Sequence, residues 1–235
     1  MGSSFKFKQF SVKNECSAMK VGTDGVLLGA WVSLSGKEKT ILDVGTGTGV
    51  IALMLAQRCG SALITALDID EPSVEEAAGN FADSPWNGRL KAIKGDFRSF
   101  ENENQYDLIV SNPPYFINSL KAPQERRNAA RHNDTLSHND LIKGASRLLK
   151  EGGRLAVVLP SDEGDLFAGT AFESGLFLKR ICRVRTKSGS LPKRCLMEFS
   201  AEKKEPLVEE ELIMQSGAEF TPDYVSLTRD FYLAF

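Results

Sequence analysis

The amino-acid sequence predicts an α/β fold in which helices cover a mostly parallel sheet, and two observations predict it. In the middle of the chain, short apolar runs alternate with helical patterns, as a parallel sheet with crossover helices requires. The last third holds two β-like runs joined by Ser188-Gly189-Ser190, which indicates an antiparallel pair. A length of 235 residues suits one large domain. We therefore expect a single domain over residues 1–235, with residues 1–36 as an N-terminal strand and helix extension.

The central elements follow from the apolar patterns. The predicted strands are the apolar runs Thr40–Val44, Ala62–Ile69, Leu90–Lys94, Tyr106–Ser111 and Arg154–Leu159. The predicted helices are Val50–Arg58, Ser73–Ala82 and Asp140–Lys150. Pro72 suits the first turn of the second helix, and we expect Gly152-Gly153 to end the third.

The two ends of the chain supply the remaining elements. Leu178–Thr186 and Arg194–Ala201 are predicted to pair antiparallel and close the sheet. The aromatic segment Tyr224–Phe235 is expected to pack on the core. Phenylalanines alternate with lysines in Phe5–Phe10, which predicts an edge strand or a hairpin.

Composition excludes several classes of function. The net charge of -2 provides no general attraction for nucleic acid, so any RNA contact requires a local basic patch. The cysteines and histidines are few and widely spaced: Cys16, Cys59, Cys182, Cys195, His132 and His138. Their spacing argues against a metal site or a disulfide scaffold and for free thiols in a reducing cytosol. No apolar run is long enough to span a bilayer, so we expect a cytoplasmic protein without a membrane partner.

A glycine-rich loop follows the first predicted strand, in Asp43-Val44-Gly45-Thr46-Gly47-Thr48-Gly49. Glycines at such a turn allow the backbone to approach a ligand closely. The spacing is G-x-G-x-G, one residue shorter than the dinucleotide fingerprint, and Asp43 precedes it. That carboxylate would repel a pyrophosphate but attract the ammonium and sulfonium groups of S-adenosylmethionine. The loop therefore predicts S-adenosylmethionine as the cofactor, bound by Asp43, Gly45, Gly47 and Gly49.

Acidic residues follow the next two strands. Asp68 ends the second strand, where a carboxylate can accept hydrogen bonds from both ribose hydroxyls. Ile69 and Asp70 follow, and we expect one of them, Ile69 or Asp70, to pack beside the adenosine. Asp96, followed by Phe97, comes after the third strand and is expected to accept from the adenine amino group. Each acid alone is compatible with a solvated loop, but acids at three strand ends beside a glycine loop strongly favour a cofactor site.

The fourth predicted strand ends in Ser111-Asn112-Pro113-Pro114-Tyr115. Paired prolines also serve as a rigid strand-ending turn. At this position, however, the Asn112 side-chain oxygen and the Pro113 carbonyl are able to accept both hydrogens of an –NH₂ group. Pro114 would stiffen the turn, and Tyr115 would offer a face on which a base stacks. We expect these four residues to form an amino-group acceptor site, with Asn112 also bordering the cofactor.

The order of these motifs resembles class I amino-methyltransferases. More narrowly, Phe5–Phe10, Met19–Trp31 and Ser84-Pro85-Trp86 resemble the bacterial tRNA1(Val) adenine-37 N6-methyltransferase family. This resemblance implies a Rossmann-like class I fold with a mostly parallel seven-stranded sheet and an antiparallel C-terminal hairpin. It also implies methylation of N6 of adenosine 37 in the anticodon loop of a valine tRNA. By the same resemblance, Thr23 and Asp24 lie near the cofactor.

Three basic segments are candidates for contact with the tRNA. The first follows the acceptor motif and includes Lys121, Arg126, Arg127 and Arg131, together with His132. The second surrounds the late turn, with Lys187, Lys193 and Arg194, and the third is the lysine-rich segment Phe5–Lys13. Solvated surface loops would have similar compositions. Phosphate contacts would position the tRNA and make binding depend on salt. We expect the chain to act as a monomer.

Two other enzymes share parts of this pattern. Protein-glutamine N5-methyltransferases share the Asn-Pro-Pro-Tyr motif and resemble this chain in its core, but they carry a sizeable helical domain before the glycine loop. Only about forty residues precede Asp43 here, which we expect to be too few. Guanine-N2 rRNA methyltransferases commonly have two tandem domains, which we do not expect 235 residues to hold. A non-catalytic binding module is disfavoured because both the cofactor motifs and the acceptor motif are intact.

Overall fold

The computed structural model describes residues 4–17, 20–102, 105–114, 136–203 and 206–235. The strands in these residues are β1 (Ser4–Lys6), β2 (Ser11–Lys13), β3 (Thr40–Val44), β4 (Leu63–Asp68), β5 (Leu90–Lys94), β6 (Tyr106–Ser111), β7 (Leu149–Pro160), β8 (Phe177–Lys187), β9 (Arg194–Ser200), β10 (Val208–Ser216) and β11 (Glu219–Phe220). The α-helices are α1 (Thr23–Trp31), α2 (Val50–Arg58), α3 (Glu71–Ala82), α4 (His138–Leu148), α5 (Ser161–Glu173) and α6 (Pro222–Thr228). A short 3₁₀ helix, Asn87–Arg89, precedes β5.

Nine strands form one sheet in the order β11-β10-β8-β9-β7-β6-β3-β4-β5. Strands β3 to β7 are mutually parallel, and β9 lies antiparallel between β7 and β8. The β8–β9 pair is the predicted C-terminal hairpin, and it is confirmed. The predicted number of seven strands is wrong because β10 and β11 extend the edge. Strand β10 escaped prediction because Val208–Ser216 is rich in glutamates, two of which pair with Arg180 and Arg185 on β8.

Helices cover both faces of this sheet, each over its own hydrophobic core. Helices α1, α2 and α3 bury apolar side chains on one face, together with the chain's aromatic C-terminal segment. Helices α4 and α5 cover the other face. Because β3 to β7 are parallel, the loops that follow them emerge at one edge of the sheet. In folds of this kind, that carboxyl edge is where ligands bind.

Two boundaries in the middle of the chain differ from the prediction. The third predicted helix ends at Leu148, and β7 begins at Leu149 and continues through Gly152-Gly153. The glycines therefore lie inside a strand, where Leu149 already pairs with Tyr106 across a register shift. Helix α5 was not predicted because glycines interrupt its pattern. Gly164 is required by packing, since a Cβ there would lie 2.4 Å from the Cys195 sulfur.

The ends of the chain pack against each other. Strands β1 and β2 form an antiparallel hairpin, which confirms the predicted hairpin. Phe7 pairs with Tyr232 in an isolated bridge, and the Lys8 amide donates to the Phe231 carbonyl at 2.8 Å. Tyr224 and Phe231 are buried, so the prediction that Tyr224–Phe235 packs on the core is confirmed.

Candidate active site

A cavity opens at the carboxyl edge, where β3, β4, β5 and β6 end. The predicted site residues that line it are Gly45, Gly47, Asp68, Ile69, Asp70, Asp96, Phe97, Asn112, Pro113 and Pro114. The cofactor motifs and the described part of the acceptor motif therefore border one space. Sequence reasoning brought these residues together because parallel strands place their carboxyl ends at a common edge.

The glycine loop has a backbone conformation that residues with side chains rarely adopt. Gly45, Gly47 and Gly49 all have positive φ angles, of 69°, 54° and 81°. The Gly45 and Thr46 amides donate to the Leu67 carbonyl, which ties the loop to β4. A Cβ on Gly49 would lie 2.5 Å from the Phe81 ring, so Gly49 lies under the loop against α3. Gly45 and Gly47 face the cavity, whereas Gly49 supports the loop.

Asp43 lies beneath the glycine loop, fully buried, and does not line the cavity. Its Oδ2 accepts a hydrogen bond from the Thr46 hydroxyl at 2.6 Å. Burial raises the pKa of this carboxyl to about 7, against the opposing effect of the Thr46 bond. The structure thus shows Asp43 holding the loop from below, and its contact with the cofactor stays a prediction.

This buried carboxyl predicts a distinctive dependence of stability on pH. The native protein keeps the Asp43 proton up to about pH 7, whereas the unfolded chain releases it near 3.8. Between those values the native state binds more protons, so its stability falls as pH rises. The loss is on the order of 4 kcal/mol at most. We expect the free energy of unfolding of the wild type, minus that of Asp43→Asn, to fall from pH 5 to 7 and then level off.

Urea denaturation of both proteins across that range measures this difference. The subtraction is needed because Glu38, Asp96 and Asp107 have lowered pKa values and give the opposite slope. Parallel curves for the two proteins would show that native Asp43 is already ionised.

Asp68 connects the glycine loop to the start of α3. Its Oδ2 accepts from the Gly47 amide at 2.8 Å, and its Oδ1 accepts from the Asp70 amide at 3.0 Å. Asp70 in turn caps α3 by accepting from the amide and hydroxyl of Ser73. Ile69, between them, is exposed at the cavity. The Asp68 carboxylate is therefore held in the wall of the cavity by two backbone amides, and its contact with a ribose stays a prediction.

Asp96 is held by a neighbour that sequence reasoning missed. The Arg98 guanidinium contacts both Asp96 carboxylate oxygens, at 2.6 to 2.9 Å, and this bonding lowers the pKa of Asp96. The i, i+2 spacing of an acid and an arginine was the available signal. Ser17, Ser73 and Leu136 also line the cavity and were not predicted. Ser17 is far away in sequence, so no local pattern pointed to it.

The acceptor motif leaves the sheet directly beside the glycine loop. Strand β6 lies between β3 and β7, and the Ser111 hydroxyl donates to the Val44 carbonyl at 2.8 Å. Asn112, Pro113 and Pro114 follow and line the cavity. Tyr115 lies outside the described residues, as do Lys121, Arg126, Arg127, Arg131 and His132. Their predicted roles stay predictions.

Thr23 and Asp24 line a different depression, together with Lys193 and Arg194. The Asp24 carboxylate pairs with the Arg194 guanidinium at 2.9 Å, which joins the start of α1 to the start of β9. This depression shares no lining residue with the cavity, although α1 packs near Gly25 against the start of α2, which follows the glycine loop. The structure therefore brings the two predicted groups, Thr23-Asp24 and Lys193-Arg194, together at one place. The predicted proximity of Thr23 and Asp24 to the cofactor stays a prediction.

Comparisons with known proteins identify the family. Residues 19–165 match the methyltransferase small domain family. A Bacteroides fragilis protein named tRNA1(Val) (adenine(37)-N6)-methyltransferase is 49% identical over 232 residues, which cover 97% of each chain. Proteins of the same name from Bacteroides thetaiotaomicron and Tolumonas auensis are 46% and 42% identical, and each match covers at least 97% of both chains. The chain belongs to this methyltransferase family.

Solved structures of low sequence identity show the same fold. A predicted O-methyltransferase, Atu636 from Agrobacterium tumefaciens, has a TM-score of 0.67 at 18% identity, covering 88% of this chain and 96% of that one. The glycopeptide N-methyltransferase MtfA, complexed with S-adenosylhomocysteine, has a TM-score of 0.58 at 13% identity, covering 76% and 90%. The predicted class I methyltransferase fold is confirmed.

The family uses S-adenosylmethionine, which confirms the predicted cofactor, and the cavity suits it. The turn at Gly45 and Gly47 leaves the backbone uncovered on the cavity side, because a Cβ there is absent. Asp68 and Asp96 bring carboxylates and Ile69 an apolar side chain to the lining, and their contacts with the ribose and the adenine stay predictions. Within the described residues, no group of three histidines, cysteines or acids is placed to hold a metal ion, and no helix is long and apolar enough to cross a membrane.

Proposed function

We propose that this enzyme transfers the methyl group of S-adenosylmethionine to N6 of adenosine 37 in the anticodon loop of tRNA1(Val). The observation that carries the proposal is the near-full-length identity of 49% to a protein of that name. The geometry supports it, since Asn112, Pro113 and Pro114 border the cofactor cavity. We further propose that the enzyme acts in the cytoplasm as a monomer.

The chain's own residues would align the acceptor. The cofactor supplies an electrophilic methyl group on a sulfonium. Asn112 Oδ1 and the Pro113 carbonyl would accept the two hydrogens of the adenine amino group, so that its lone pair turns out of the ring's conjugation. The prolines hold the carbonyl direction at little entropic cost. Catalysis is then mainly alignment, which is worth several orders of magnitude in rate. No general base is needed, since the proton leaves after transfer.

The acceptor adenine must leave its stack to reach Asn112 and Pro113. Extrusion of a base costs a few kcal/mol, and less in a single-stranded loop than in a duplex. The predicted stacking of the base on Tyr115 would offset part of that cost, by about 1–3 kcal/mol. An anticodon loop therefore suits the site better than a helical stem does.

The proposal is tested with purified enzyme, S-adenosylmethionine carrying a labelled methyl group, and a transcript of tRNA1(Val). We expect nucleoside mass spectrometry to find N6-methyladenosine, and expect none when adenosine 37 is replaced by guanosine. Label in N2-methylguanosine would favour the guanine-N2 alternative. Label transferred only to a release factor would favour the protein-glutamine alternative and reject the tRNA assignment.

The turn between β8 and β9 is the described part of the chain from which we propose a contact with the tRNA. Arg194 lies beside Pro160, at the carboxyl end of β7, so the turn stands at the same edge as the cavity. Lys187 and Lys193 are exposed on it. Hydrogen bonds within 187–193 fix the turn, including Ser190 Oγ to the Lys187 carbonyl at 2.7 Å. We propose that these lysines contact tRNA phosphates, with Arg194 oriented by Asp24.

We expect Lys193→Ala to raise the KM for tRNA about three- to tenfold and to leave cofactor affinity unchanged. Loss of one phosphate contact also lowers the slope of log affinity against log salt by about 1. Lys37→Ala is the matched control, because Lys37 is also exposed but borders a different depression, together with Arg154. Steady-state kinetics measure the KM for tRNA, filter binding at several salt concentrations measures the slope, and calorimetry measures the cofactor affinity. Equal changes in the two variants would show that Lys193 acts only through the overall charge of the protein and not through a specific contact.

A further inference from the structure

One segment near the N-terminus walls the cofactor cavity although it belongs to neither cofactor motif. We call residues 11–17, which comprise β2 and the four residues after it, the strap. The strap runs along α3 and ends at Ser17, which is buried and lines the cavity. Its placement depends on contacts with residues about 60 to 70 positions away in sequence. The strap is therefore held by the fold and not by local structure.

Glu76 on α3 holds the end of the strap through three consecutive backbone amides. Its Oε1 accepts from the Glu15 and Cys16 amides at 2.6 and 2.9 Å. Its Oε2 accepts from the Ser17 amide at 2.9 Å. Successive backbone N–H groups that converge in this way form an anion-binding concavity. A carboxylate suits it better than an amide because both its oxygens accept and its charge strengthens the bonds.

Asn80, one turn further along α3, joins the strap to the glycine loop. Its Oδ1 accepts from the Lys13 amide at 2.8 Å, and its Nδ2 donates to the Lys13 carbonyl at 3.1 Å. The same Nδ2 donates to the Thr48 carbonyl at 2.9 Å. Asn80 is fully buried, so these bonds are shielded from water. A single side chain thus connects three parts of the cavity's surroundings.

Helix α3 also supports the glycine loop directly. A Cβ on Gly49 would lie 2.5 Å from Phe81 and 3.3 Å from Ala77, so loop and helix are in close contact. The N-cap residue of the helix is Asp70, whose amide donates to the Asp68 carboxylate. The side of α3 that carries Ala77 and Phe81 therefore packs against the glycine loop, and Glu76 and Asn80 bond the strap. One helix thus supports both segments that border the cavity.

We propose that Glu76 and Asn80 are positioning residues for S-adenosylmethionine, which hold the strap so that Ser17 completes the cofactor cavity. Neither side chain lines the cavity itself. They act by preorganising a wall, so that the cofactor does not have to order it on binding. Loss of the Glu76 bonds leaves the chemistry of Asn112 untouched and weakens cofactor binding alone.

The test compares Glu76→Gln with Glu75→Gln, which makes the same change in the next residue of α3. Glu75 is exposed, and no hydrogen bond or ion pair involves its side chain in the described part of the chain. In Glu76→Gln the amide NH₂ must face at least one strap N–H. We expect calorimetry to show about three- to tenfold weaker binding of S-adenosylhomocysteine for Glu76→Gln and no change for Glu75→Gln. Glu76→Asp keeps the charge but shortens the side chain by one methylene, so we expect an intermediate affinity.

Two further readouts separate positioning from a general loss of stability. Hydrogen exchange of the Glu15, Cys16 and Ser17 amides without cofactor should be faster in Glu76→Gln and unchanged in Glu75→Gln. The KM for S-adenosylmethionine should rise while kcat at saturation stays within about twofold and Tm within a few degrees. Faster exchange with unchanged affinity would overturn the proposal, as would a fall in kcat with unchanged KM. Since binding of S-adenosylhomocysteine requires no tRNA, this outcome is independent of the proposed acceptor.

Discussion

Asn112→Ala is expected to lower kcat for methyl transfer at least about a thousandfold, while the affinity for S-adenosylhomocysteine stays within about threefold. Removing one hydrogen-bonding group that acts on the reacting atoms costs about 10² to 10³ in other enzymes. Here the same oxygen would also align the amine, so loss of alignment adds to the effect. Single-turnover transfer to tRNA1(Val) measures the rate, and calorimetry measures the affinity.

Asn87→Ala is the matched control, since Asn87 is exposed in the 3₁₀ helix before β5, away from the cavity. We expect it to change neither quantity. The prediction separates a catalytic Asn112 from a structural one. If cofactor affinity and rate fell together in Asn112→Ala, or if Tm dropped by many degrees, Asn112 would be a support of the β6 end and not a group that orients the substrate.

Asp68→Ala should weaken the binding of S-adenosylhomocysteine by about a hundredfold or more. Hydrogen bonds to a charged carboxylate contribute about 1.5–3 kcal/mol each, and the ribose offers two hydroxyls. The structure adds a second reason, because Asp68 also holds the Gly47 amide and so shapes the loop that faces the cofactor. Calorimetry gives the affinity, and Asp165→Ala, at an exposed carboxylate on α5, is the control.

A double-mutant cycle distinguishes these two contributions of Asp68. Binding of S-adenosylhomocysteine is compared with that of its 2′-deoxy analogue, in wild type and in Asp68→Ala. If Asp68 binds the ribose, the analogue is bound more weakly than the parent only by the wild type. If both proteins lose the same factor for the analogue, Asp68 acts through the glycine loop alone.

Four elements were predicted with their observed bounds, and three of them, Thr40–Val44, Val50–Arg58 and Tyr106–Ser111, are largely buried, since an interior strand or helix is mostly apolar. The fourth, Leu90–Lys94, lies at the edge of the sheet and is only partly buried; the lysines among its apolar residues are typical of such a strand. Strand β10 and helix α5 were missed. The first is half-exposed and charged, and the second carries glycines that only tertiary packing explains.

The same distinction applies to the site. Acids at the ends of β4 and β5 were predictable because they follow directly from the strands, whatever the rest of the chain does. The burial of Asp43 was not predictable, because it depends on how the glycine loop folds back, with the Thr46 hydroxyl donating to the Asp43 carboxylate. Glu76 and Asn80 were not predictable either. Their partners are backbone groups of a distant segment, which leave no mark in sequence spacing.

The bond between the Ser111 hydroxyl and the Val44 carbonyl has a consequence for how this enzyme changes over evolution. Val44 and Ser111 are paired residues of adjacent parallel strands, so this bond adds to the backbone pairing that sets the separation of the β3 and β6 ends. A change in the preferred nucleotide that kept both strand ends would leave the spacing between the glycine loop and Asn112 as it is. We therefore expect such a change to arise in residues that follow β6 and not in the strands themselves.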